Sequence, residues 1–300
     1  MTKSYEIYHV FTDGPEGGNP LAVVHDADDL SAEEMQAIAT RFGLSETIFI
    51  LKDENPAHSA RVRIFTPVSE LPFAGHPTVG AAVSLAVKRF GGEPGEKEAV
   101  VTLVEDVGLV RCGVKLHDPS SGFAEFDCPK LPEEAGEAIE AELIGAALGL
   151  APSDLMFENH RPSRWSAGVA FNFVPVSGME ALAKARVVKD AWETAFGKED
   201  AYLYTRETEG HDHSFRARMF APAMGIDEDP ATGSAAAALA GAILNFDALP
   251  DGEYRHVIEQ GFEMGQPSLI SLELIVDGGA LATVRIGGDA IRVKEGTLER

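Results

Sequence analysis

Ser59-Ala60-Arg61-Val62-Arg63-Ile64-Phe65-Thr66-Pro67 returns later in the chain as Ser214-Phe215-Arg216-Ala217-Arg218-Met219-Phe220-Ala221-Pro222, with Ser, both Arg, Phe and Pro matched at one spacing of 155 residues. In both copies arginine alternates with other residues, which is the period of a strand. A short gap then leads to His76-Pro77 in the first copy and Asp229-Pro230 in the second, 153 residues apart, with Gly80 facing Gly233 in the same register. Each copy continues into a small-residue helical sequence. A period of about half the 300 residues means a duplicated domain, because solenoid repeats are far shorter. Two similar domains with a cleft between them are expected, and 45% hydrophobic residues is enough apolar material for two cores.

Outward from this repeat, short runs rich in Val, Ile, Phe and Tyr alternate with helical patterns, which predicts a mixed α and β protein. Strands are expected at Tyr5–Phe11, Leu21–Val24, Thr47–Leu51, Ala60–Phe65, Val100–Val104, Leu109–Val114 and Phe123–Phe126. Ser31 and Glu34 form a capping box that opens a helix, and a second helix is expected from about Pro77 to Lys88. The clusters Asp13–Pro20 and Gly91–Gly95 read as turns, and Asp118–Gly122 as the linker between domains.

The chain carries 25 basic and 48 acidic residues, a formal charge of −23. Nucleic acid and anionic membrane surfaces are repelled by such a field, so neither partner is expected. Apolar stretches such as Ala235–Leu244 fall short of the roughly 18 to 20 residues of a membrane span. The start, MTKSYEIYHVF, lacks the pattern of a signal peptide, which predicts a cytoplasmic protein. Cys112 and Cys128 are too few for a disulfide framework and lack zinc-site spacing, so both read as structural thiols. No metal site is expected, and His211 and His213 read as a solvated acidic loop.

The chemistry concentrates where the repeat meets its helices, at Gly75-His76-Pro77-Thr78 and Asp229-Pro230-Ala231-Thr232-Gly233-Ser234. Proline early in a helix removes no needed donor, and small neighbours leave first-turn N–H groups open to an anion. Taken singly, Asp229 also reads as an ordinary N-cap and His76 as a loop histidine. Arg61, Arg63, Arg216 and Arg218 read as solvated or salt-bridged strand residues, and Trp165 and Phe171 as core or cleft wall. There is no GxxxxGK[ST] loop and no strand-GxGxxG-helix pattern.

Gly18-Asn19-Pro20-Leu21-Ala22-Val23, Ser45-Glu46-Thr47, Phe65-Thr66-Pro67 through Phe73-Ala74-Gly75-His76-Pro77-Thr78, and Asp229–Ala235 resemble the PhzF-like family of phenazine biosynthesis. The resemblance continues through Glu259-Gln260-Gly261, Met264-Gly265-Gln266-Pro267-Ser268 and Ile286-Gly287-Gly288, and so spans nearly the whole chain. It implies an α+β, diaminopimelate-epimerase-like fold of two pseudo-symmetric domains, each a curved sheet around a central helix. One domain is expected over residues 1–118 plus about 278–300 and the other over 119–277. By the same resemblance Glu46 is the acid/base, with His76, Asp229 and Ser234 as polar partners, Gly75 and Gly233 as backbone donors to the substrate, and Asn19 shaping the site. Because Glu46 adjoins the apolar run Ile48-Phe49-Ile50, burial is expected to raise its proton affinity. The family implies a small carboxylated substrate, no cofactor and a homodimer. Thiol-using relatives of this fold place cysteines at the two helix starts, where this chain has His76 and Asp229, so two-thiol racemisation is disfavoured. The expected reaction is an isomerisation that moves a proton between carbons of one substrate. Single-centre epimerisation or racemisation, and capture of a small carboxylate without turnover, stay open as alternatives.

Overall fold

A computed structural model describes residues 2–12, 14–91 and 97–299. The chain divides into unit 1, Met1–Pro129 with Gly287–Arg300, and unit 2, Lys130–Ile286. The expected linker at Asp118–Gly122 is instead a hairpin turn inside unit 1. There Asp118 faces Ser121 across the ladder, and its carboxylate accepts from the backbone N–H of Ser120 at 2.6 Å and from the hydroxyls of Ser120 and Ser121. Asp118 thus acts through local turn chemistry rather than at a boundary. The expected turn at Gly91–Gly95 lies, beyond Gly91, outside the described residues, as does Asp13 of the Asp13–Pro20 cluster.

Unit 1 runs β1 (Lys3–Val10), β2 (Asn19–Val24), α1 (Ala32–Phe42), β3 (Glu46–Leu51), β4 (Ala60–Phe65), β5 (Glu70–Leu71), α2 (Gly75–Phe90), β6 (Lys97–Glu105), β7 (Gly108–Asp118) and β8 (Ser121–Asp127). The capping box forms as read, with Ser31 Oγ accepting from Glu34 N and Glu34 answering to Ser31 N. Helix α2 is buried almost all round and packs against β1, β2, β3, β6, β7 and β8, so the strands wrap it. A helix without a polar face is stable only in such surroundings. Gly80 leaves room for the side chains of β1 and β2, since a Cβ there would lie 2.4 Å from Leu21 Cδ2 and 3.0 Å from Val10 Cγ2.

Unit 2 contributes β9 (Glu133–Glu134), α3 (Ala141–Leu148), β10 (Ser163–Ser166), β11 (Ala170–Pro175), α4 (Met179–Lys184), α5 (Lys189–Ala195), β12 (Ala201–Thr205), β13 (Phe215–Ala221), β14 (Ile226–Asp229), α6 (Gly233–Asp247), β15 (Gly252–Gln260) and β16 (Ser268–Asp277), and β17 (Ala280–Leu298) leads back into unit 1. Helix α6 packs against β9, β10, β11 and β16, and is likewise buried over most of its length. On the other side of this sheet α3, α4 and α5 close a core of Ile144, Leu148, Leu182, Trp192, Phe196 and Leu203.

The ladders correct the repeat register beyond the shared proline. Leu71 stands opposite Ile64, Asp229 stands opposite Met219, and the central helices open at Gly75 and Gly233. His76 therefore matches Ser234 in place, and Asp229 matches Leu71, because the connection into the helix is three residues longer in unit 2.

The repeated arginines are ion-paired in both units. Arg63 binds Glu70 through two contacts of 2.6 and 2.7 Å, and Arg218 binds Glu228 at 2.8 and 2.7 Å, each holding the strand that leads to a central helix. Arg61 is exposed and lies 3.6 Å from Asp53, whereas Arg216 is buried among Glu209, Glu259 and Glu263.

A second polar knot sits under β1. Burial opposes the charge of Glu6, yet contacts from His25 Nε2 at 2.9 Å, Ser84 Oγ at 2.6 Å and Arg292 Nη1 at 2.7 Å outweigh it and hold the carboxyl at about 2. An acid depressed on folding adds stability above its unfolded pKa and loses it as pH falls through the folded one. Glu6 is thus expected to contribute about 3 kcal/mol that disappears between roughly pH 4.5 and pH 2. Urea unfolding of wild type and Glu6→Gln at pH 6 and pH 2 checks this: the gap between the two proteins closes at the lower pH.

Candidate active site

The site residues of unit 1 lie at element starts. Gly18, at φ 79°, turns the chain into β2 where a Cβ would lie 2.6 Å from the carbonyl of Val10, and Asn19 follows it fully buried. Glu46 opens β3, whose parallel pairing with β2 sets it opposite Leu21. His76 is the second residue of α2, and its Nε2 lies 3.3 Å from Glu46 Oε2. Burial holds the imidazole far below the usual histidine range, at about 3, so it stands neutral beside the carboxyl group rather than as a cation. Ala74 caps α2 with no side-chain hydrogen bond, and Gly75 begins the helix. Glu46, His76, Asn19 and Gly75 therefore share one unit, with a direct approach between the first two.

In unit 2 the alternative reading of Asp229 as an ordinary N-cap is overturned. Asp229 ends β14, and the N-cap is Thr232, without a side-chain cap bond to the helix. Thr232 Oγ1 instead donates to Asp229 Oδ2 at 2.6 Å. The fully buried Gln260 braces this corner: its Nε2 donates to Asp229 O at 2.8 Å and to Thr232 Oγ1 at 2.9 Å, and its Oε1 accepts from Thr232 N at 3.2 Å. Gly233 is the buried first residue of α6, and Ser234, half-buried, is the second.

Thr232 and Gln260 were not among the expected site residues. The signal for Gln260 lay in Glu259-Gln260-Gly261, where each residue has its own task. Glu259, wholly buried, accepts from the backbone N–H groups of Glu209 and Gly210 and pairs with His213 Nδ1 at 2.6 Å. His213 is thereby tied into the structure rather than solvated, while His211 is exposed as expected. Gly261, at φ 78°, passes so close to the β14–α6 corner that a Cβ would lie 2.3 Å from Gln266 O and 2.7 Å from Pro230 O. Both obstacles are backbone, so Gly261→Ala is expected to cost roughly 2–4 kcal/mol from overpacking plus left-handed strain, read as a lowered denaturation midpoint.

Other readings resolve simply. Cys112 is buried and Cys128 partly so; burial pushes both thiols up, that of Cys128 to about 12, and neither sits at a helix start. Glu158, His160 and Asp247 bring metal-type donors together, but the Arg206 guanidinium binds all three. No helix among the described residues is long and apolar enough to cross a membrane.

The profile of the family described as phenazine biosynthesis-like protein matches residues 8–296. The chain belongs to this family. It is 51% identical to an uncharacterized isomerase of Mesorhizobium japonicum, with 99% of each chain covered. It is 33% identical to the trans-2,3-dihydro-3-hydroxyanthranilate isomerase of Pseudomonas chlororaphis, with 98% of each covered. The crystal structure of a PhzF family protein of Bacillus anthracis matches with a TM-score of 0.88 at 26% identity over the full length of both chains. The fold is accordingly the α+β arrangement of the PhzF family, and the chain is an isomerase of that family.

Proposed function

We propose that the protein moves a proton between carbons of a small carboxylated substrate, with Glu46 as acid/base. The observation that carries this reading is the 3.3 Å approach of Glu46 to a buried, neutral His76 at the start of α2. A carboxylate that takes a proton from carbon needs a neighbour that orients it without neutralising it, and a neutral imidazole does that where an imidazolium would quench the base. The first turns of α2 and α6 supply N–H groups not capped by side chains, at Gly75 and His76 and at Gly233 and Ser234. These groups and the helix dipoles favour an anion locally, against the field of a chain with formal charge −23. Asp229 and Ser234 act as further polar groups of the reaction, and Asn19 shapes the site beside Glu46. Transfer of a proton within one substrate consumes no cofactor.

The family resemblance to trans-2,3-dihydro-3-hydroxyanthranilate isomerases makes that compound the first substrate to try. Proton NMR in deuterated water, run on it and a panel of small carboxylates, follows solvent deuterium into the product. Incorporation at a carbon other than the one that loses its proton supports the isomerase reading. Exchange with inversion at one centre replaces it with epimerisation, and tight binding without any exchange replaces it with a binding role.

A further inference from the structure

The two units carry an equivalent buried residue beneath each central helix, and the two differ by one chemical group. β6 runs parallel to β4 with Val104 facing Arg61, and β15 runs parallel to β13 with Glu259 facing Arg216. Arg61 and Arg216 are the matched arginines of the repeat, so the next residues, Glu105 and Gln260, match at the same spacing of 155. Glu105 is 5% exposed and Gln260 fully buried. Each reaches a threonine at the start of its central helix, Thr78 in α2 and Thr232 before α6.

In unit 2 the direction of the chain is set, since the Gln260 amide donates to Thr232 Oγ1 and that hydroxyl donates to Asp229. In unit 1, Thr78 Oγ1 lies 2.8 Å from Ala74 O and 2.8 Å from Glu105 Oε1. A hydroxyl has one proton to donate, and a backbone carbonyl can only accept. That one proton cannot serve both acceptors, so the two 2.8 Å contacts are both hydrogen bonds only when Glu105 carries a proton and donates it to Thr78 Oγ1, leaving the hydroxyl free to donate to Ala74 O.

We propose that Glu105 is held as the neutral carboxylic acid and donates to Thr78 Oγ1, positioning the start of α2 as the Gln260 amide positions the start of α6. A protonated carboxyl has the shape of a glutamine side chain and, like it, both a donor and an acceptor. Glu105 Oε2 has no hydrogen-bond partner among the described residues, a modest penalty for an acid's carbonyl oxygen and a large one for an ionised carboxylate. Burial pushes this carboxyl up to about 7, against the lowering effect of Thr78, and the neighbouring Asp106 adds to the rise. Of the other groups around it, Cys112 on β7 carries a thiol that burial keeps neutral, α2 presents the uncharged Thr78, and Arg61 on β4 pairs with Asp53. Thr78 is two residues beyond His76, so Glu105 acts on the reaction only through the helix that carries His76; this consequence rests on the isomerase reading, whereas the protonation does not.

The test needs no substrate. Difference infrared spectra of wild type against Glu105→Gln at pH 6 are expected to show one protonated-carboxyl carbonyl band that fades in wild type as pH rises past about 7. Folding supplies the second arm: the folded state keeps a proton that the unfolded chain has lost, so wild type loses stability relative to Glu105→Gln as pH rises from 4.5 to about 7, by up to roughly 300-fold in the folding constant. Hydrogen exchange of the Thr78 amide, which bonds Ala74 O at 3.2 Å at the start of α2, is expected to speed up in Glu105→Ala and to return to the wild-type rate in Glu105→Gln. Absence of the band at pH 6, or a Glu105→Ala protein whose α2 start is as protected as wild type, overturns the proposal.

Discussion

Glu46→Gln is expected to lower proton transfer by roughly 100- to 10,000-fold, the usual contribution of a positioned acid/base. Glutamine keeps the size of the side chain and its place at the head of β3, but it cannot accept and return a proton at neutral pH. The fold is expected to survive, because the backbone of Glu46 still pairs with β2 and the neighbouring Thr47, Ile48 and Phe49 remain buried. Deuterium incorporation by wild type and variant, followed side by side by NMR, measures the loss, and far-UV circular dichroism checks the fold. The pH dependence of kcat/KM carries a further expectation: His76, held at about 3, stays neutral through the physiological range, so no histidine limb is expected near pH 6.5. A Glu46→Gln enzyme that exchanges as fast as wild type would remove Glu46 from the proton path.

Arg218→Ala is expected to destabilise the protein by roughly 3–5 kcal/mol, the range for removing one partner of a buried pair. The guanidinium, with a side chain 10% exposed, donates to both oxygens of Glu228 and to the carbonyls of Leu182 and Ala185 at 2.8 and 2.9 Å. Its loss strands a carboxylate and removes a donor from two carbonyls at the end of α4. Arg63 is the control, since its side chain is 28% exposed and its ion-pair partner, Glu70, is 32% exposed. Arg63→Ala is expected to cost about 1 kcal/mol or less. Chemical denaturation of both variants separates the cases, and equal losses would show that the environment of Arg218 adds nothing.

Burial explains why one strand motif yields such different arginines. Alternation along Ala60–Phe65 and Phe215–Ala221 identified the strands but not the depth of each face, because α4 and the segment after it cover the second copy. Similar reasoning accounts for Asp229. An acidic residue before Pro230 in a helix-opening pattern reads as a cap, yet β14 pairs with β13 as far as Asp229 and leaves Thr232 to start the helix. At Asp118–Gly122 the cause is the opposite, since a serine-rich stretch closes a tight hairpin as readily as it links domains.

The sequence by itself determined the duplication, the identity of the repeated strands, the small-residue central helices, the capping box at Ser31 and Glu34, and the membership carried by the ordered motifs. These depend on residue type at short range or on a match between distant segments, both of which a linear chain displays. Only the tertiary structure decided that His76 faces Glu46 across 30 positions of chain, that Gln260 braces the corner around Asp229 and Thr232, and that Glu105 stands in the place of Gln260. Those facts rest on desolvation and on hydrogen-bond partners brought together by strand pairing, and a glutamate that must keep its proton is spelled the same way as one that has lost it.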